Sequence, residues 1–188
     1  ESEYLALSIS NESLIGKVKV TASFKDYENL ILWQPDESFK YVPINVSSAE
    51  RTSYNFQYQK DFSDLYMQLT YNVYDSLDKD IDEKLLYVPD SSASLLLVYK
   101  LNNLTHFSLN YKLVGERILQ YESSFAEQVN DESYGLLSLG VSNIFNWMGE
   151  DSIILNMTVD NLLDEEYIST IGYPEPGRSI KFTLEYML

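Results

Sequence analysis

Apolar and polar residues alternate with period two along nine stretches of this chain. That period places successive side chains on opposite faces of an extended strand. Leu65, Met67, Leu69, Tyr71 and Val73 stand against Tyr66, Gln68, Thr70, Asn72 and Tyr74. Phe107, Leu109, Tyr111 and Leu113 stand against His106, Ser108, Asn110 and Lys112. The pattern predicts strands at Tyr4 to Ser10, Lys17 to Lys25, Ser53 to Gln59, Leu65 to Tyr74, Ser92 to Leu101, Leu104 to Leu113, Leu136 to Asn143, Ile153 to Asp160 and Ile180 to Leu188. Most run about 8 to 10 residues, close to the roughly 9 to 11 that a tilted strand needs to cross a hydrocarbon layer. The connections alternate in length. Asn11 to Gly16, Lys60 to Asp64, Asn102-Asn103 and Ile144 to Ser152 are short, whereas Asp26 to Thr52, Asp75 to Ser91, Val114 to Gly135 and Asn161 to Ser179 are long. Short turns at one end and long loops at the other are the habit of a transmembrane β-barrel.

The faces are unequal in charge. Leu5, Leu7, Ile9, Val18, Val20, Ala22, Phe24, Tyr54, Phe56 and Tyr58 begin an outward set that carries no charge in any of the nine stretches and has Asn143 as its one polar member. The opposite set carries Lys17, Lys19, Lys25, Lys100, Lys112, Lys181, Asp160 and Glu185. A lysine or arginine on a lipid face costs about 2 to 4 kcal/mol at the midplane, so lipid selects for such an uncharged face. A soluble barrel or sandwich with its faces exchanged gives the same alternation. Its nine strands would leave edges that nothing in the chain covers. The expected fold is all-β, an antiparallel transmembrane β-barrel or part of one.

Composition narrows the function. The longest apolar runs, such as Ser94 to Tyr99, fall far short of the roughly 20 residues of a membrane helix. The absence of cysteine removes disulfides, thiolate metal sites and cysteine nucleophiles. A net charge of −16 opposes binding to nucleic acid. Sixteen tyrosines suit bilayer borders or ligand-binding loops, because each ring carries a polar tip. The segments Glu28 to Arg51, Asp75 to Asp90, Glu116 to Ser133 and Leu163 to Arg178 hold −13 of the −16 charges, so the long-loop end is acidic. That acidity serves solubility or draws cations, and Asp78, Asp80 and Asp82 with Glu83 offer oxygens for Ca²⁺, without the spacing of an EF-hand. The chain opens at Glu1 with no initiator Met and no apolar leader, which reads as a piece of something longer rather than a processed chain. A hydrolytic site would require a base, and the single histidine, His106, has no fixed Ser or Asp spacing around it. The chain is not expected to be an enzyme.

The last thirty residues are the most specific. Val159-Asp160-Asn161-Leu162-Leu163-Asp164-Glu165-Glu166-Tyr167 is followed by Gly172-Tyr173-Pro174-Glu175-Pro176-Gly177-Arg178 and then by the alternating Ile180 to Leu188. Asp160, Asn161 and Asp164 are suited to bonding their own backbone as strand yields to turn. The two prolines fix φ, Gly177 admits conformations closed to other residues, and Arg178 is placed to order the loop by pairing with an acid. The run resembles the C-terminal signature of TonB-dependent outer-membrane receptors: a strand ending in Asn-Leu-Phe-Asp-x-x-Tyr, a loop with Gly-Tyr-Pro-x-Pro-Gly-Arg, and a closing strand. Upstream, Asp26 to Ile31, Asn45 to Glu50, Tyr54 to Tyr58, Leu69 to Tyr74, Leu86 to Pro89 and Tyr111 to Arg117 are similar to successive segments of that family in the right order.

The resemblance implies that residues 1–188 are the C-terminal part of a 22-stranded barrel, beginning near about its fourteenth strand, with the plug domain absent from this chain. It implies TonB-dependent uptake of a scarce nutrient complex (ferric siderophore, haem or cobalamin) across the outer membrane of a Gram-negative bacterium. Its partners would be outer-membrane lipid, the TonB–ExbB–ExbD system acting through the plug, the barrel assembly machinery and a small ligand. By that resemblance the family's C-terminal motif falls on Asn161, Leu162, Asp164, Tyr167, Gly172, Tyr173, Pro174, Pro176, Gly177 and Arg178. The barrel-insertion signal falls on Phe182, Leu184, Tyr186 and Leu188, although the family usually ends in an aromatic residue and this chain ends in Leu188. Loop aromatics give large contact area at low entropic cost, which selects Trp33, Tyr41, Tyr87, Tyr121, Tyr167 and Tyr173 as candidate ligand contacts. No resident cofactor is expected. The competing reading is a passive porin, favoured by the lumen lysines but not by the Gly-Tyr-Pro-x-Pro-Gly-Arg loop.

Overall fold

A computed structural model of the chain describes residues 2–36, 38, 40–122, 127–146 and 152–187. Nine strands make one antiparallel sheet: β1 (Ser2–Ser13), β2 (Gly16–Pro35), β3 (Tyr41–Phe62), β4 (Leu65–Asp78), β5 (Ser91–Lys100), β6 (Thr105–Val114), β9 (Tyr134–Asn146), β10 (Ser152–Asp160) and β13 (Ser179–Met187). Each pairs with its neighbour in the chain, from β1 at one edge to β13 at the other. Two small hairpins, β7 (Arg117–Gln120) with β8 (Val129–Asp131) and β11 (Ile168–Thr170) with β12 (Tyr173–Pro174), sit in the long connections. No helix of the described residues is long and apolar enough to cross a membrane, which says nothing of crossing by strands.

Register carries each face unbroken across the sheet. Tyr58, Leu69, Leu95, Tyr111 and Leu137 form one rung over five strands, and Gln59, Gln68, Leu96, Asn110 and Ser138 form the rung beside it on the other face. The apolar face is bare. Leu5 is 73% exposed, Leu7 69% and Phe182 68%, and no second layer among the described residues covers them. A soluble sandwich would bury these residues at about 25 cal/mol per Å², so their exposure decides between the two orientations that alternation allows. The polar face is stitched by cross-strand hydrogen bonds: Ser23 to Ser53 at 2.6 Å, Asn55 to Asn72 at 2.6 Å and Asn72 to Ser92 at 3.0 Å. Asn143, polar on the oily face, donates to Thr105 Oγ1 on the same face at 2.7 Å, directly across the β6–β9 pair.

Charges mark the two borders of the oily face. On β3 the outward row ends in Lys60 at the short-turn end and Glu50 at the long-loop end, with Tyr58, Phe56, Tyr54 and Thr52 between. The ten residues separating the two charges run about 33 Å at roughly 3.3 Å per residue. A barrel strand's tilt of about 40° turns that into about 25 Å of depth, the height of an outer-membrane apolar band. Lys60 lies 5.6 Å from the Phe62 ring and donates to the Leu14 carbonyl, while Lys79 bridges Asp26 at 3.1 Å and Glu50 at 3.0 Å. These two bonds raise the Lys79 pKa, Glu50 being the stronger cause.

The predicted strands are present, and two of them run much further than expected. The long loop predicted at Asp26 to Thr52 is instead a continuation of the β2–β3 hairpin, paired in unchanged register to Pro35 and Tyr41. Its alternation is broken at Asn29, which sits at φ 56°. Tyr27 and Ala49 face the packed side below that residue; Leu30, Leu32, Ile44 and Val46 face it above. One left-handed residue thus shifts the parity of the buried positions, and a period-two reading ends there. An asparagine tolerates this backbone where a β-branched residue does not. Asn29→Val should loosen the hairpin above residue 29 by about 1 to 2 kcal/mol, whereas Asn29→Gly should leave it intact. Hydrogen exchange at Leu30 to Trp33 reads this, and equal protection in the two variants would refute the role given to Asn29.

The turn predicted as Asn102-Asn103 is wider, spanning 101–104, because Asn102 Oδ1 accepts the amides of Leu104 and Thr105, both at 2.8 Å. The turn predicted at Ile144 to Ser152 begins later, after Asn146, and residues 147–151 lie outside the described residues, as does Leu188 of the expected insertion signal. The packed interior is not on the sheet's oily face. It lies at the long-loop end, where Val46, Ala49 and Leu85 are buried against Tyr27, Leu30, Leu32, Ile44 and Val88.

Candidate functional site

The long connections lock to one another above the sheet. The 79–90 segment joins β7 through Tyr87 N to Ile118 O (2.8 Å) and the residue before it through Asp90 N to Glu116 O (2.9 Å). Tyr121 ties the same two segments together, its hydroxyl donating to the Lys84 carbonyl at 2.9 Å. Burial first, and then the Asp78 carboxylate, raises the Tyr121 pKa and keeps that donor protonated. Arg117 links β7 to the last connection: its Nε donates to Asp131 Oδ2 at 2.9 Å, its Nη2 donates to the Ile168 carbonyl, and its head lies 5.7 Å from the Tyr134 ring. Tyr167 stacks on Tyr134 with centroids 4.8 Å apart, and burial raises the Tyr167 pKa. Tyr41, near the tip of the β2–β3 hairpin, donates to the Ile171 carbonyl at 2.9 Å and so reaches the same connection from the far side of the arc.

A cavity of about 500 Å³ opens where these segments meet. Ile31, Leu32 and Trp33 of β2, Tyr41 of β3, Tyr87 of the 79–90 segment, and Ser169 and Thr170 of β11 line it. None of these side chains is charged. Tyr87 occupies a left-handed backbone at φ 63°, an uncommon conformation for a bulky residue. Its hydroxyl is shut off from solvent beside the Tyr41 phenol. Burial, and secondarily the neighbouring Tyr41 phenol, pushes its pKa up to about 12, so it is a neutral donor at any physiological pH.

Three of the six aromatic candidates, Trp33, Tyr41 and Tyr87, therefore share one cavity. Tyr121 bonds to Lys84, Tyr167 stacks on Tyr134 and lines a second cavity, and Tyr173 is 66% exposed and does not line the first. Ser169 and Thr170 escaped the sequence reading, which selected aromatics only; Arg117 and Tyr134 escaped because their partners lie in other loops.

The C-terminal motif builds the last connection. Asn161, at φ 49° and nearly buried, accepts the Glu165 amide and donates to the Glu165 carbonyl, each at 2.9 Å. Asp164 Oδ1 accepts the Arg178 amide at 2.7 Å, with the Arg178 head 3.8 Å from Oδ2, the ordering pair expected of Arg178. Two expectations are corrected. Asp160 does not bond its own turn but pairs with Lys181 at 2.7 Å across the β10–β13 ladder. Gly177 does not take a left-handed backbone; a Cβ there would stand 2.7 Å from Asp164 Oδ1, so close approach requires the glycine, and Gly172 at φ 80° is the one that makes a left-handed turn. A second cavity, of about 570 Å³, has Asp131, Asp164, Glu165, Glu166 and Glu175 in its wall. Among the described residues no three His, Cys, Asp or Glu side chains gather closely enough to hold a metal ion. Asp78 Oδ1 accepts the Asp80 amide at 2.9 Å.

A single sheet with a bare oily face, a hydrogen-bonded polar face, charged borders ten residues apart on β3 and interlocked loops at one end is an arc of an outer-membrane β-barrel wall. No family model matches the chain. It is 22% identical over 193 residues to the vitamin B12 transporter BtuB of Photobacterium profundum, an alignment covering 99% of this chain and 30% of that protein. With BtuB of Vibrio cholerae it shares 32% identity over 95 residues, 47% of this chain and 15% of that one. The ferric enterobactin receptor PfeA of Pseudomonas aeruginosa superposes with a TM-score of 0.73 at 17% identity, over 97% of this chain and 30% of the receptor. The siderophore receptor PirA of Acinetobacter baumannii gives 0.76 at 15%, over 96% and 31%. More narrowly, then, the fold is that of the barrel wall of a TonB-dependent outer-membrane receptor, and the chain spans about 30% or less of the length of these proteins. All of them are named as transporters or receptors, none as an enzyme.

Proposed function

We propose that residues 1–188 form the C-terminal wall and extracellular mouth of a receptor that takes a scarce nutrient complex across the outer membrane with energy delivered by TonB. The observation that carries this reading is the interlocked mouth. A porin needs an open entry, whereas here three connections and the β2–β3 tip are bonded into one structure enclosing an aromatic cavity. In this reading the remaining strands and a plug lie elsewhere in the full-length receptor, TonB–ExbB–ExbD acts through that plug, and the barrel assembly machinery reads the β13 row of Phe182, Leu184 and Tyr186. The named relatives make cobalamin the first ligand to test, followed by ferric siderophores and haem.

Uptake of each compound should be measured in cells carrying the full-length receptor, with TonB present and absent. Accumulation of one of them should stop when TonB is removed. Equal, non-saturating entry without TonB would replace this reading with the passive channel.

A further inference from the structure

We propose that the turn joining β1 to β2 is a lipid anchor: Leu14 and Ile15 sit among the phospholipids of the leaflet at the short-turn end, and Tyr58 and Lys60 of β3 cap the turn's carbonyls against that layer. The inference rests on the membrane orientation of the receptor reading above and adds a point of lipid contact beyond the strands.

Hairpin turns that stand in water favour Gly, Asn, Asp and Ser, which suit the backbone and hydrate well. Ser63-Asp64 and Asn102-Asn103, in the next short connections, follow that rule. The first turn breaks it. Leu14 is 95% exposed and Ile15 76%, more than any other large apolar residue described. The polar groups of this turn are sealed from the oily side of the sheet: the Tyr58 hydroxyl donates to the Ile15 carbonyl at 2.6 Å, and Lys60 Nζ donates to the Leu14 carbonyl. Both side chains belong to the outward row of β3 that contains Tyr54 and Phe56, so the two carbonyls open toward lipid and not toward the lumen. A carbonyl bathed by water needs no such cap, whereas one at the edge of hydrocarbon has few other donors. The Tyr58 ring lies against Gly16, where a Cβ would stand 2.8 Å from it, so the glycine lets the phenol reach the turn. Its apolar body and polar tip then straddle the border between acyl chains and headgroups, the place such rings favour. Lys60 runs its aliphatic stem along the same row past Phe62, and its head keeps further N–H groups for phosphate oxygens. The oily face of β1 to β3 continues unbroken to this turn, which makes lipid the occupant.

The test uses the full-length receptor in native outer membranes, with the photoreactive p-benzoylphenylalanine in place of Leu14 or, as control, of Asn103. Irradiation should give phospholipid adducts at position 14 and few at position 103, read by mass spectrometry. No lipid adduct at 14, equal adducts at both positions, or a protein adduct at 14 in their stead overturns the inference. A second measurement avoids the bulky probe: urea titration of the receptor in phosphatidylcholine vesicles. Aspartate is the better turn residue in water, so Leu14→Asp would be neutral or stabilising in a hydrated turn. In lipid it should lower the folding equilibrium about fivefold, while Asn103→Asp stays within about twofold. Tyr58→Phe should lower it about threefold, because water cannot freely replace the lost donor. A neutral or stabilising Leu14→Asp overturns the inference in the same way. Neither readout involves TonB. Loss of TonB-dependent uptake with the turn in lipid removes the transport reading alone, and a hydrated turn in a receptor that still transports removes this one alone.

Discussion

Replacing Arg117 by methionine should unlock the mouth while leaving the barrel wall standing. The Arg117 side chain is 9% exposed and that of its partner Asp131 is 14% exposed, so removing the cation leaves a largely buried carboxylate uncompensated and deprives the Ile168 carbonyl of its donor. Breaking one side of such a pair costs about 3 kcal/mol, well above the value of an exposed ion pair. The penalty falls on β7–β8 and β11–β12, each a two-stranded ribbon of two to four residues per strand that is too small to persist without its contacts to other segments. Amide exchange within 117–120, 129–131 and 168–170 should accelerate about a hundredfold, the factor that corresponds to about 3 kcal/mol, with exchange in β4 to β6 unchanged. Adding Asp131→Asn should recover part of the protection, since a neutral amide is cheaper to bury unpaired than a carboxylate. Unaltered exchange in 168–170 would show that Arg117 does not couple the two ribbons.

The same contrast between wall and mouth explains what the sequence revealed. Inside the apolar band each strand obeys one rule imposed by lipid on one side and water on the other, so Leu65 to Tyr74 or Ile153 to Asp160 could be placed within a few residues from alternation alone. Above the band that rule lapses. β2 and β3 continue as a hairpin buried on one side by Leu85 and Val88, and the left-handed Asn29 changes which residues face that partner, so no single period survives. β7 and β11 are four and three residues long and depend on partners distant in the chain: Arg117 of β7 donates to the Ile168 carbonyl of β11, and Tyr41 donates to Ile171 just beyond it. The site shows the same limit. Residue type was enough to select Trp33, Tyr41 and Tyr87 as candidates, but their meeting depends on contacts such as Tyr41 with Ile171, 130 residues apart, which leave no local trace. In the C-terminal motif the identity of Gly177 was legible and its reason was not, because the close neighbour, Asp164, is thirteen residues away and becomes visible only in the folded loop.

The largest effect expected on the wall comes from a charge at Leu95. This residue sits mid-rung on the oily face, between Leu69 and Tyr111, with Ala93 and Leu97 before and after it in the same outward row. Leu95→Arg should destabilise the full-length receptor folded in phospholipid vesicles by about 2 to 4 kcal/mol, because a guanidinium at that depth must either lose its hydration or draw water and headgroups into the layer. Two controls separate depth and face from the mere addition of a cation. Asn110→Arg, one residue away on the polar face and already exposed, should cost less than about 1 kcal/mol, since its side chain looks into the aqueous lumen. Lys60 provides the second: it stands on the oily face at its lower border, where a cation is tolerated beside Phe62, so Lys60→Arg should be close to neutral. Urea titration of the reconstituted receptor measures all three. Equal costs for Leu95→Arg and Asn110→Arg would mean that the oily side of the sheet does not meet lipid, and the depth argued from Glu50 and Lys60 would fall with it.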